Sequence, residues 1–161
     1  MAIHVSDSVI IARPIDEVFA YMANYENLPF WTVGVTASRR LSEGEVTTGS
    51  RYCIVGTLLG RSVESNYIVT RFERGKRLEG TMTSPMFGFS ESYSFEPDPV
   101  GTRVTLRVEV QPAGIFRLIG PVMAVGVRRQ ITADHHRLKH LLEEARADVG
   151  RLPVTERRAT G

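Results

Sequence analysis

The sequence predicts an α+β fold: a curved antiparallel sheet of about six or seven strands wrapped around a long C-terminal helix, with two short helices after the first strand. Three observations predict it. From Phe116 to Val149 apolar residues recur at helical spacing, at Val127, Ile131, Leu138, Leu142, Ala145 and Val149. Between Ser38 and Gln111 run alternating, β-branched and aromatic stretches broken by Gly and Pro turns. A lone helix cannot bury that stripe by itself, so the sheet must cover it, and any pocket should lie between the two.

The elements follow in chain order. His4 to Ile11 alternates loosely and reads as the first strand. Pro14 suits the first position of a short helix, where its missing N–H costs nothing, and Asp16 and Glu17 suit its first turn. Ile15, Val18, Phe19 and Met22 make its apolar face, and it should end near Asn24. Asn27-Leu-Pro-Phe-Trp31 reads as a second short helix whose aromatics, Phe30 and Trp31, plug one end of the core or wall a pocket. Strands are expected over 35–41, 51–57, 63–72, 78–83, 89–95 and 102–111, with turns at 42–49, Gly60, 73–76, 84–88 and 97–101. The last two strands alternate most cleanly and should have one wet and one dry face. Pro112-Ala-Gly114 ends the sheet, and Pro121 should start, break or kink the helix that follows.

Composition limits the function. The 161 residues are 42% hydrophobic and 24% charged, ordinary for a globular chain and enough for one domain over 1–150. The formal charge of +2 resides in residues 151–161, where three Arg stand against one Glu, and this tail is expected to be disordered. A neutral body argues against nucleic-acid binding, which needs clustered Lys and Arg, so no nucleic-acid partner is expected. One cysteine, Cys53, excludes an internal disulfide, and it reads as buried strand packing. The first residues lack a basic region followed by an apolar core, so a cytoplasmic location is expected. The most apolar stretch, 115–127, contains Arg117 and Pro121 and is too short to span a bilayer.

Several segments together are similar to a known family. They are Ile11-Ala-Arg-Pro-Ile-Asp-Glu-Val-Phe-Ala-Tyr-Met-Ala-Asn24, Asn27-Leu-Pro-Phe-Trp31, Val46-Thr-Thr-Gly-Ser-Arg-Tyr52, Tyr67-Ile-Val-Thr-Arg-Phe-Glu-Arg-Gly-Lys-Arg-Leu78, Phe95-Glu-Pro-Asp-Pro-Val-Gly-Thr-Arg-Val-Thr105 and Leu138-Lys-His-Leu-Leu-Glu-Glu144. With the order of elements they resemble the helix-grip fold of the START-related SRPBCC superfamily, in its polyketide cyclase/dehydrase-like branch. The resemblance spans residues 3 to 147. It implies a deep, mainly apolar cavity between sheet and helix, and a small hydrophobic ligand such as a lipid or polyketide-like molecule. It also leaves room for an aromatase/cyclase or dehydrase, or for a non-catalytic module acting on a partner, because fold does not select among these.

The expected lining combines the dry strand faces with the helix stripe: Phe89, Glu91, Tyr93, Leu106 and Val108, then Met123, Val127, Ile131 and His135, with Trp31, Tyr52, Tyr67 and Met82 added where alternation is weaker. Glu91 and His135 are polar residues at apolar positions, and a carboxylate or imidazole facing such a cavity would have a shifted pKa. They and Tyr93 are therefore the candidate acid and base groups, with Glu91 otherwise reaching the cavity mouth or an Arg and His135 otherwise hydrogen-bonded within the core. Asp134, at the edge of the stripe, is expected to be solvated. His136 and His140 have metal-compatible spacing but lack a third ligand, so no metal is expected. No Gly-rich nucleotide loop and no G-x-S-x-G is present, so no cofactor is expected either. Met86-Phe87 and Phe116-Arg-Leu-Ile119 read first as segments folded inward; the alternative is that they flank the cavity entrance, where exposed apolar residues suit transient contact with a membrane or partner.

Overall fold

The structure is a computed structural model that describes residues 2–145. Seven strands form one antiparallel sheet in the order β1-β7-β6-β5-β4-β3-β2. They are β1 (Ile3–Ile11), β2 (Val35–Arg40), β3 (Arg51–Leu58), β4 (Arg61–Glu73), β5 (Arg77–Thr83), β6 (Phe87–Pro97) and β7 (Thr102–Pro112). The helices are α1 (Ile15–Ala23), α2 (Leu28–Trp31) and α3 (Gly120–Glu144), with 3-10 turns at Tyr25–Asn27 and Gly114–Ile119. This is the expected helix-grip arrangement. Val149 and the tail from 151 lie outside the described residues.

Local chemistry explains most boundaries, with three corrections. Pro14 stands at the N-cap of α1, with φ −58° and ψ 146°, rather than at its first helical position. Its extended ψ turns the chain out of β1, and its carbonyl accepts from Glu17 and Val18 to start the helix. Phe30 is half exposed while Trp31 is buried, so Trp31 alone closes the core there. Pro121 stands in the first turn of α3, where a proline costs no hydrogen bond. Cys53 is half buried and alternates with the fully inward Tyr52 and Ile54, so it lies on the outer face of β3 rather than in the core.

The helix is held to the first strand by polar contacts that fix its direction. His135 meets Asp7, Lys139 Nζ donates to the Ile10 carbonyl at 2.7 Å, and the Ala12 amide donates to Glu143 Oε1 at 2.9 Å. The three partners advance together along both elements, so α3 runs in the same direction as β1. Around the C-terminal half of α3 the packing is closed: Ile11, Val18, Val104, Leu138 and Leu142 have almost no accessible surface. Phe19 meets Phe72 and Phe95 edge to face at 5.3 and 5.0 Å, a favoured aromatic geometry. Toward the N-terminus of α3 the same interior loosens. Met82, Phe89, Met123, Ala124 and Val127 are only partly buried.

Gly101, in the β6–β7 turn, lies against the chain leaving β1. A Cβ there would stand 2.3 Å from the Ile11 carbonyl oxygen and 2.6 Å from the Arg13 nitrogen. Backbone atoms cannot swing aside as a flexible side chain can. Gly101→Ala should therefore cost about 1–3 kcal/mol, the range for overpacking, measured as a lower urea midpoint at unchanged slope.

Candidate functional site

The alternation of β6 directs Phe89, Glu91, Tyr93 and Phe95 toward α3, with Tyr93 and Phe95 buried. Glu91 pairs with Gly80 on β5 and with Val108 on β7. Gly80 pairs in turn with Val69 on β4, two residues from Tyr67. The ring of Tyr67 crosses over the bare backbone of Gly80 and places its Oη 2.7 Å from Glu91 Oε1. A Cβ on Gly80 would stand 1.8 Å from that phenol oxygen. Glycine is thus the condition for contact between residues on β4 and β6.

Tyr25, from the 3-10 turn after α1, completes the cluster. Its Oη is 2.6 Å from Tyr67 Oη and 3.5 Å from Glu91 Oε1, and its ring centroid lies 4.5 Å from that of Tyr67. One phenolic proton cannot serve two acceptors at once. When Glu91 is ionised, the stronger acceptor takes the Tyr67 proton, and Tyr25 donates to the Tyr67 oxygen. Among the described residues Glu91 makes no ion pair: the expected Arg is absent and two tyrosines take its place.

Burial raises the Glu91 carboxyl to about 7, and the hydrogen bond from Tyr67, with the Tyr25 phenol beside it, restrains the rise. Burial first, and Glu91 second, push the Tyr25 and Tyr67 phenols well above their ordinary range. Tyr93 is shifted the same way for the same two reasons. All three tyrosines are therefore neutral donors at neutral pH, while the carboxyl is divided between its two forms.

His135 and Asp7 form a second pair. His135 is 2% exposed, and its Nδ1 lies 2.6 Å from Asp7 Oδ2. Burial lowers the imidazole pKa and the carboxylate opposes the shift. A neutral ring must then carry its proton on Nδ1 toward the acceptor, leaving Nε2 as the unprotonated nitrogen. Among the described residues, that Nε2 is buried without a hydrogen-bond partner. Asp134 is also buried, which corrects the expectation of a solvated side chain. It accepts from the Val33 amide at 2.8 Å and from Gln130 at 2.9 Å. Burial raises its carboxyl to about 6 against those bonds.

The other expected lining residues divide by position. Trp31, Tyr52, Tyr67, Tyr93, Leu106, Val108 and Ile131 are buried on the inner side of the molecule. Met82, Phe89, Met123 and Val127 are the partly buried residues around the N-terminal half of α3. A hollow of about 620 Å3 follows one row of the sheet, past Val5, Val108, Glu91 and Gly80 to Thr70, with Arg128 of α3 on its wall. It touches Glu91 and Val108 of the expected set, and the rest of its wall is largely polar, including His4, Ser6, Glu79, Ser90, Ser92, Arg107 and Glu109. Met86 and Phe87 are partly buried, in keeping with the inward reading, and Phe87 opens β6. His136 and His140 are exposed, His140 lying 3.3 Å from Glu144, and no metal-ligating cluster occurs among the described residues. Sequence reasoning missed Asp7, Tyr25 and Gly80. Asp7 carried a signal, being in phase with Val5 and Val9 on β1; Tyr25 and Gly80 carried none.

The cluster makes two predictions. Below pH 4.5 both the folded and unfolded states hold the Glu91 proton; as pH rises to about 7 the unfolded chain releases it first, so folding loses stability over this window. Glu91→Gln lacks the loss. It should be more stable than wild type above about pH 7, by roughly 1–3 kcal/mol, with the gap closing toward pH 4.5 in urea titrations. Separately, Tyr67→Phe removes a bond that favours the carboxylate, so the Glu91 carboxyl should titrate above its wild-type value by carbon NMR of labelled glutamate. Gly80→Ala should shift it in the same direction by displacing the ring.

Residues 2–143 match the family model described as polyketide cyclase/dehydrase and lipid transport. No curated protein gives a significant match. Among solved structures, the Zhui aromatase/cyclase from a Streptomyces species superposes with a TM-score of 0.73 at 16% identity, covering 94% of this chain and 100% of that one. A START superfamily protein from Mycobacterium smegmatis superposes with a TM-score of 0.69 at 15% identity, covering 91% and 99%. Identities this low carry the fold alone. With the family match extending from β1 to the penultimate residue of α3, the chain belongs to the polyketide cyclase/dehydrase and lipid transport family.

Proposed function

We propose that this protein binds a small, mainly apolar molecule between the sheet and the N-terminal half of α3, with Glu91 and Tyr67 orienting one polar group of that molecule. The observation that carries the reading is Glu91 itself: a part-buried carboxyl that accepts from Tyr67, with Tyr25 behind it and no cation paired with it among the described residues, beside partly buried apolar side chains. Such a group costs stability in the free protein. Partly buried Met82, Phe89, Met123, Ala124 and Val127 supply an apolar wall, and polar groups placed in such walls fix ligand orientation.

A second reading has its own observation. A carboxyl that titrates at about 7 can take a proton from a carbon beside a carbonyl, or give one to a departing hydroxyl, at neutral pH. That is the chemistry of a cyclase or dehydrase acting on a keto chain. In this reading Glu91 moves the proton, and Tyr67 donates to the oxygen that gains charge.

Fluorescence titration with aminoanthracene tests the binding reading. Wild type should take up the dye at one saturable site. Ala124→Trp, which fills the interior beside α3, should weaken it about tenfold or more, and Glu91→Gln should weaken a carbonyl-bearing analogue more than the parent dye. Absence of saturable uptake, or uptake indifferent to Ala124→Trp, ends this reading. Loss of turnover on a keto thioester in Glu91→Gln, with dye binding retained, would favour the second.

A further inference from the structure

The antiparallel order places several separate segments at one end of the sheet. These are the end of β7 with the turn leading into α3, the first turns of α3, the β3–β4 hairpin, the β5–β6 loop and the link into β2. Large apolar residues stand exposed here. Leu118 and Leu59 are each 82% exposed and Val122 is 74% exposed, with Ile119, Val125 and Val33 also exposed. Leu118, Val122 and Val125 follow helical spacing across the start of α3, facing away from the core.

Charge at this end is mostly of one sign, with Glu64 of β4, which is exposed, and Glu109 of β7, opposite Ser90, at its border. Segments 31–36, 57–63, 83–90 and 112–133 contain Arg61, Arg117, Arg128 and Arg129 and no Asp or Glu. Residues 1–150 are neutral overall, and many of the balancing acids lie away from this end: Asp16, Glu17, Glu73, Glu143 and Glu144 belong to the opposite end of the sheet.

The hairpin supplies an independent sign. Leu59 and Gly60 form its two-residue loop, with φ +51° and +75°. Such a loop favours Asn or Gly at its first position, because a larger side chain is strained at positive φ. A leucine here is strained and lies in water, so folding gives no reason for it.

We propose that this end of the molecule docks on the surface of an anionic phospholipid bilayer. Aliphatic tips on several separate segments, ringed by arginines, suit a broad anionic surface with an apolar layer beneath it. The partly buried Met82, Phe89, Met123 and Val127 lie behind the same end, so a molecule dissolved in the bilayer would meet these apolar side chains first. Docking itself needs no bound ligand and stands apart from the binding reading.

The test uses the ligand-free full-length chain and vesicles of phosphatidylcholine with or without phosphatidylglycerol. Flotation should show at least tenfold stronger binding to the anionic vesicles, weakening as salt is raised. The pair Leu118→Ser and Val122→Ser should lower binding about tenfold with unchanged circular dichroism. Leu59→Asn is the sharper variant: Asn suits positive φ, so the hairpin should keep or gain stability while vesicle binding falls. Equal binding to both vesicle types, or variants that bind like wild type, would overturn the proposal. So would a dimer in sedimentation equilibrium that Leu118→Ser and Val122→Ser dissociate without any vesicle binding, since the face would then belong to a second copy.

Discussion

The pairing of α3 with β1 fixes the rest of the structure. A long helix with an apolar stripe can slide or rotate on a sheet at modest cost, because hydrophobic burial is non-directional. Here direction comes from hydrogen bonds at three successive points: Asp7 with His135, Ile10 with Lys139, and Ala12 with Glu143. Asp134, on the neighbouring side of the helix, adds a tie to the Val33 amide that closes the link into β2. All these partners belong to the part of α3 beyond residue 133. The first half of the helix has fewer obligations, and that is the half with partly buried and exposed apolar residues.

Against this frame the Glu91 cluster is a departure from packing logic. A glycine in the middle of a sheet forgoes side-chain burial and weakens the strand. At position 80 that loss opens the passage through which the Tyr67 phenol reaches a carboxyl two strands away. Burying a carboxyl without a cation raises its pKa, and three tyrosines in the same interior are raised with it. The sheet thus gives up stability at one row to hold a proton-exchanging group among neutral donors.

Much of this was legible in the chain and some was not. The alternation of β6 and β7 placed Glu91 inward without any knowledge of its partners, and the stripe on α3 did the same for His135. Asp134 shows the limit of that reasoning. It sits three residues after Ile131 and four before Leu138, so its place on the stripe was visible, but its partner is the Val33 amide, 101 residues away. Residue type argued for solvent; a distant backbone donor decided otherwise. Tyr25 and Gly80 were invisible for a related reason. Their role depends on the register of β4 against β5 and of β5 against β6, and no local pattern encodes a contact that skips a strand. Pro14 was placed one step too far into its helix because the N-cap and the first helical position both tolerate a missing N–H.

The uneven packing along α3 has a further consequence for how the molecule opens. Free energies of local opening follow the density of buried contacts, and they range from near zero to the global value within one fold. The end built on Leu138, Leu142, Ile11 and Val104 should exchange its amide hydrogens only through global unfolding. The first turns of α3, held by fewer contacts, should exchange through small excursions that leave the pinned half in place. Passage between the interior and the outside then requires no loss of the fold, and its rate is set by a sub-global event confined to one end of one helix.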